Sequence, residues 1–185
     1  MTKKYLLISL TIIIIAVAIL FSMGRIPFCK CGDITLWSSD VVSNQQSQQL
    51  ADPYTFTHFI HGIIVYFLLW LIFKKRLNPM QRLVIAIGLE SGWEILENTS
   101  YIINRYREAT ISFDYFGDSI FNSVGDIIAM VIGFIVAWKL PVKLTAVSVI
   151  LIELLLLYFI HDSLTVNIIM LIYPIEAIKN WQAGM

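Results

Sequence analysis

The chain has 185 residues, 58% of them hydrophobic and 14% charged, with a mean hydropathy of +0.76. These proportions exclude an ordinary soluble domain, and the length excludes a bilayer domain joined to a large soluble one. The formal net charge of zero gives no global positive field, so no nucleic-acid partner is expected and membrane lipids are the expected surroundings.

A spanning helix needs roughly 17–25 mostly apolar residues, because the hydrocarbon core is about 30 Å thick. Five stretches qualify, at 5–23, 57–73, 83–98, 119–140 and 144–160. The expected fold class is therefore all-α: one integral-membrane domain over 1–185, a polytopic bundle of about five transmembrane helices. The first stretch follows Lys3 and Lys4 and contains the run Ile12 to Ile15; it is expected to be an anchor, since Gly24-Arg25-Ile26-Pro27-Phe28 offers no small-x-small cleavage site. The outer loop 24–56 holds Cys29-Lys30-Cys31, read first as a structural or incidental pair; a bond between cysteines two apart would be strained, so free thiols, a labile redox pair or partial metal ligation stay open. It also holds the polar run from Ser43 to Gln49, which reads as a solvated loop.

The second stretch carries His58 and His61 in its first turns. The third carries Glu90, Glu94 and Glu97 at i, i+4 and i+7 and is the least apolar; the fourth begins beside Asp118 and continues through Asn122 and Asp126. Pro141 ends it. Glu153 lies nearer the middle of the fifth, and His161-Asp162 marks that helix's outer end. The remaining tail, 161–185, has an apolar patch from Val166 to Ala177 that is short and contains Asn167, Pro174 and Glu176, which predicts an interfacial or re-entrant helix rather than a sixth span.

Lys and Arg collect on the cytoplasmic side of membrane proteins. An amino terminus inside places Lys3, Lys4, Lys74, Lys75, Arg76, Arg82, Lys139 and Lys143 there, and puts none of the thirteen Asp and Glu residues in a cytoplasmic loop. The histidines and most carboxylates then converge on the outer leaflet. Ionisable groups facing lipid cost about 2.5–3.5 kcal/mol each near the bilayer centre, so they are expected to face the bundle interior or a wet cavity.

Each polar group has a packing reading and a chemical one. Asn122, Gly125, Ala129 and Gly133 form a stripe suited to close helix contact. Glu94, Glu97 and Asp126 are more carboxylates than packing requires; crowded acids share protons, bind a cation or form salt bridges. With His61 they are the candidate acid–base groups, His61 being suited to proton transfer at neutral pH. His58 is a candidate for substrate contact, or is satisfied by a loop carbonyl. His58, His61, Glu94, Glu97 and Asp126 together would make a chemically adequate Zn or Fe/Mn ligand set, although no His-Glu-x-x-His is present and Glu94-x-x-Glu97 stands where bundle di-iron proteins carry Glu-x-x-His. Ser119 and Ser123 lie near Asp118 and Asp126, but no Gly-x-Ser-x-Gly elbow accompanies them.

The outer loop 99–118 is rich in Tyr101, Tyr106, Phe113, Tyr115 and Phe116, consistent with interface anchoring. Arg105 and Arg107 are candidates for holding a phosphate, with Asn122 a further substrate contact; pairing with Glu108 or Asp114 is the competing arrangement for the arginines.

The segments Gly24 to Gly32, Tyr54-Thr-Phe-Thr-His58-Phe-Ile-His61-Gly62, Trp93-Glu-Ile-Leu-Glu-Asn98, Arg105-Tyr-Arg-Glu-Ala-Thr110, Asp114 to Ser119, Asn122 to Asp126 and Leu164 to Pro174 resemble uncharacterised protein family 0314, domain of unknown function 2585. The resemblance covers most of the chain after the first helix. It implies a bacterial inner-membrane protein and brings no assigned activity. Two function classes follow: an enzyme acting on a lipid or lipid-linked headgroup at the outer leaflet, or a non-enzymatic ion-binding, transport or assembly protein.

Overall fold

In the computed structural model, which describes residues 3–110, 112 and 114–184, the chain is all-helical. Eight helices follow in order among the described residues: α1 Lys3–Ser22, α2 Thr55–Phe73, α3 Pro79–Glu97, α4 Ser100–Ala109, α5 Ile120–Lys139, α6 Val142–Ile160, α7 Leu164–Ile172 and α8 Glu176–Ala183. By length and composition α1, α2, α5 and α6 are apolar enough to cross a membrane. α3 falls outside that group because its glutamates and Arg82 lower its hydropathy, yet at 19 residues it matches the others in length.

Local chemistry sets the helix ends. Asn78 starts α3 with a capping box: its side chain accepts from the Gln81 amide while the Gln81 side chain accepts from the Asn78 amide, and Pro79 follows at the first turn. This start lies earlier than the stretch expected from apolar residues alone, since Met80, Gln81 and Arg82 belong to the helix. Thr99, Ser119 and Ser163 cap α4, α5 and α7 through their hydroxyl oxygens. Pro141, with no amide proton to give, separates α5 from α6.

The centre of the bundle is α2 against α5. His58 faces Asp126, Gly62 faces Met130 and Tyr66 faces Phe134, a constant offset along the chain that makes the two helices parallel. They approach closely through glycine: a Cβ on Gly62 would lie 2.0 Å from the Met130 carbonyl oxygen, and one on Gly133 would lie 1.9 Å from that of Phe59. α3 returns antiparallel to α2, since His58 meets Glu90 at one end while Arg82 lies over the Tyr66 ring at the other. Ile63, Leu69, Leu83, Ile87, Ile127, Met130 and Phe134 fill the core between them. α1 and α6 are the least buried long helices and present Ile, Leu and Val outward.

The ends of this bundle differ in kind. At one, Lys74 lies 4.6 Å from the Trp70 ring and Lys139 lies 4.1 Å from that of Trp138, the cation-on-tryptophan pattern of a headgroup boundary. At the other gather the histidines and the carboxylates.

Four expectations are corrected or refined here. The run from Ser43 to Gln49 is not a solvated loop: Gln46, Ser47, Gln48 and Gln49 are buried, Gln48 wholly so. They insert because each backbone carbonyl from Gln46 to Gln49 finds a donor. The Ser119 amide donates to the Ser47 carbonyl, the Ser119 hydroxyl to the Gln48 carbonyl and the Asn122 side chain to the Gln49 carbonyl. The stretch 99–118, expected as a loop, contains a ten-residue helix, α4. The tail patch from Val166 to Ala177 is broken at Tyr173-Pro174 into α7 and α8, and nine residues of α7, at about 1.5 Å each, are far too short to span. Cys29 and Cys31 form a disulfide, so neither is a free thiol or a metal ligand.

Candidate functional site

His58 stands in the first turn of α2, where no side chain caps the helix and Tyr54 leads straight in. Its ring is buried, 6% exposed, and three carboxylates surround it. Nδ1 lies 2.7 Å from Glu90 Oε1 and 3.4 Å from Glu94 Oε1, while Nε2 lies 3.9 Å from Asp126 Oδ2. An ionised carboxylate only accepts, so with Glu90 ionised the short contact is a donation from His58 Nδ1. His61, one turn along, also directs Nδ1 to Glu90 Oε1 at 3.3 Å and sets its ring edge-on to Trp93. Glu90 thus has donors from two histidines.

The other acids are served unequally. Glu97 accepts from the Tyr106 hydroxyl at 2.9 Å, and Tyr106 also contacts Asn167 of α7. Asp118 accepts from Tyr115 at 2.9 Å and from Asn98 at 2.7 Å. Glu94 is completely buried and, among the described residues, neither of its oxygens has a hydrogen-bond donor; Asp126 Oδ1 has none either. Among the described residues the ion pairs of this centre come from histidine alone. At its margin, burial pushes Asp118 above the usual carboxylate range, against the pull of its Tyr115 and Asn98 donors. Burial, reinforced by the charge of Asp118, raises Asp52 to about 6. Burial with the nearby Glu97 and Asp118 raises Tyr106 and Tyr115, so both phenols remain donors.

A cavity with about 160 Å³ of water-accessible space adjoins the centre. Its polar wall includes His58, His61, Glu97, Asp118 and Asp126; its apolar wall is Trp93 with Leu164, Ile168 and Leu171 of α7. α7 is held there by Glu153, whose two oxygens accept from the Leu164 and Thr165 amides at 3.0 and 3.1 Å. Glu153 is therefore a helix cap, which satisfies amides that a helix start leaves open.

Of the residues singled out from the sequence, His58, His61, Glu94, Glu97 and Asp126 come together. Asn122 does not reach the cavity and tethers the Gln49 carbonyl, as the packing reading expects. Arg105 donates to the carbonyls of Leu171 and Ile172, Arg107 to that of Tyr115, and neither lines the cavity. Neither forms an ion pair with Glu108 or Asp114 among the described residues. Phe113 lies outside the described residues. Ser119 is a cap whose hydroxyl is engaged with Gln48, which leaves it no role as a nucleophile.

Glu90 and Asp118 are more central than sequence reasoning made them. Both were visible in the helical stripes, but nothing in the spacing shows that Glu90 is shared by two histidines or that Asp118 is held by Asn98 and Tyr115. Asn98, Tyr106 and Tyr115 carried no signal of their own beyond interface aromaticity.

The fold and the centre define a helical membrane-type bundle with a histidine–carboxylate cluster at one end. The chain belongs to the family described as "Protein of unknown function (DUF2585)", which matches residues 20–184. It is 49% identical over 178 residues to a "UPF0314 protein" of Sphingopyxis alaskensis, covering 96% of this chain and 94% of that one. It is 47% identical to a "UPF0314 protein" of Paracoccus denitrificans, covering 94% and 90%, and 47% identical to "UPF0314 protein R03235" of Rhizobium meliloti, covering 98% and 91%. These relatives are bacterial. No solved structure matches.

Proposed function

We propose that this chain is a bacterial inner-membrane enzyme acting on the polar headgroup of a lipid or lipid-linked substrate at the outer leaflet. The proposed topology has α1, α2, α3, α5 and α6 as five spans and the amino terminus in the cytoplasm, which follows from the basic residues at the Trp70 and Trp138 end. α7 and α8 then lie at the outer face.

One observation carries the reading. His58 sits among Glu90, Glu94 and Asp126 at the foot of a cavity whose opposite wall is the apolar side of α7. A polar floor under an apolar wall suits an amphiphile, and about 160 Å³ suits a headgroup rather than a whole lipid. His58 is the better placed of the two histidines for proton transfer, with Glu90 orienting its ring. Arg105 and Arg107 serve the frame, so headgroup recognition falls to the cavity's own groups.

The test is turnover. Protein in proteoliposomes made from a bacterial polar lipid extract is followed by mass spectrometry of the lipids, beside Glu94→Gln, Glu97→Gln and Asp126→Asn. A new product with wild type and at least a tenfold loss in the variants is the expected result; an unchanged lipid profile with folded wild-type protein overturns the proposal. The ion-transport alternative loses its best mid-membrane carboxylate, because Glu153 is committed to the α7 amides.

A further inference from the structure

We infer that the centre holds one divalent first-row metal ion between His58, Glu94 and Glu97, with Asp126 facing it from α5. The inference deepens the headgroup reading and rests on the same centre.

Among the described residues, two groups each have their ligand atoms within 4.8 Å of one another: His58, His61 and Glu90, and His58, Glu94 and Glu97. They are not equivalent. The first is satisfied by itself, since both imidazoles direct Nδ1 to Glu90. The second is not. Glu94 is fully buried with both oxygens lacking a donor, and Asp126 Oδ1 is buried without one. A buried charge needs a partner of opposite sign or several donors, and leaving it bare costs several kcal/mol. A proton on Glu94 would remove the charge but leave the second oxygen still without a donor. His58 Nδ1, the nearby nitrogen at 3.4 Å, is already taken by Glu90 at 2.7 Å. A cation serves both oxygens at once.

The surroundings are those of a metal ligand set. Glu90 fixes the His58 ring through Nδ1, as carboxylates do for metal-binding histidines, and the Tyr106 hydroxyl fixes Glu97. The ligands come from α2 and α3, which the glycine-mediated α2–α5 contact holds against α5 and Asp126. One imidazole with carboxylates and no thiolate is a nitrogen and oxygen set, suited to Zn²⁺, Mn²⁺ or Fe²⁺. His58, Glu97 and Asp126 also line the cavity, so one side of the ion would face it, the open position that a reactive metal centre requires and a structural one lacks.

The full chain, purified in mild detergent and stripped with a chelator, is dialysed against Zn²⁺ or Mn²⁺ and its metal content measured by elemental analysis. Folding of each variant is checked by circular dichroism and gel filtration. Wild type is expected to take up about one ion per chain. Glu94→Gln and Glu97→Gln are expected to bind about tenfold more weakly or worse, and His61→Gln is expected to keep the stoichiometry. Folded wild type that binds no stoichiometric ion overturns the inference, as does equal loading in Glu94→Gln and Glu97→Gln. Loss in His61→Gln with retention in Glu94→Gln overturns it too, in favour of the other donor group. Lipid turnover is read separately. An ion without turnover removes the headgroup reading and leaves the metal; turnover by protein that takes up no stoichiometric ion removes the metal alone.

Discussion

Asn98 and Asp118 hold each other twice: the Asn98 side-chain nitrogen donates to Asp118 Oδ2 at 2.7 Å, and the Asp118 amide donates to Asn98 Oδ1 at 2.8 Å. The pair joins the C-terminal end of α3 to the residue just before the α5 cap, so it closes the loop that carries α4 and fixes where Asp118 meets the cavity.

Asn98→Ala should therefore cost roughly 2–4 kcal/mol, because it removes three buried bonds, the third to the Glu94 carbonyl, and takes a partner from both the Asp118 carboxylate and its amide. Thermal or denaturant unfolding in detergent measures it. Asn98→Asp should fare no better, since it sets two carboxylates side by side.

Glycine substitutions in the bundle should divide sharply. Gly62→Ala and Gly133→Ala put a methyl group about 2 Å from a backbone carbonyl of the facing helix, which only separation of α2 from α5 can relieve. His58 then moves away from Asp126. Both variants should lose folded yield or melt far below wild type. Gly88→Ala and Gly92→Ala meet nothing within 4 Å and should be neutral or gain up to about 1 kcal/mol from helix propensity. Gel-filtration yield and melting temperature separate the two pairs.

The histidine–carboxylate end of the bundle should be more stable in mild acid. Asp52 and Asp162 take their protons near pH 6 in the folded protein, raised by burial from an ordinary value of 3.8. Between about pH 4 and 6 the native state therefore binds more protons than the unfolded one, and the contribution of these groups to stability falls as pH rises through that window. Melting temperature at pH 5 should exceed that at pH 7. Asp52→Asn and Asp162→Asn should each flatten the difference; an undiminished slope in both contradicts the assignment.

Removing the α7 cap should open the cavity without unfolding the bundle. Glu153→Ala deprives the Leu164 and Thr165 amides of their acceptor, a loss of about 1 kcal/mol by comparison with helix N-caps. Hydrogen exchange should accelerate across 164–172 and leave the α2 and α5 cores unchanged. Glu153→Gln, which keeps an oxygen acceptor, should exchange more slowly than Glu153→Ala.

Apolar run length and polar spacing by themselves determined that the chain is an all-helical, membrane-type protein, where its long helices fall, and that His58, His61, Glu94, Glu97 and Asp126 belong to one end of it. These follow from local rules: lipid tolerates long apolar runs, and i, i+4 spacing puts side chains on one helix face. Only the tertiary structure decided what each polar group does. A polar run such as 43–49 looks solvated until Ser119, Asn122 and Gly117 supply the partners that let it be buried. Arg105 and Arg107 look free to hold phosphate until the carbonyls of Leu171, Ile172 and Tyr115 claim them. Glu153 looks like a mid-membrane charge until α7 folds back onto it. In each case the deciding bond joins residues remote in sequence or on separate elements, and hydrogen-bond satisfaction inside a bundle is a property of the assembled neighbours rather than of the residue. For the same reason Glu90 and Glu94, alike on one helical face, part company in the fold: two histidines hydrogen-bond the first, and the second has only the longer approach of His58 at 3.4 Å.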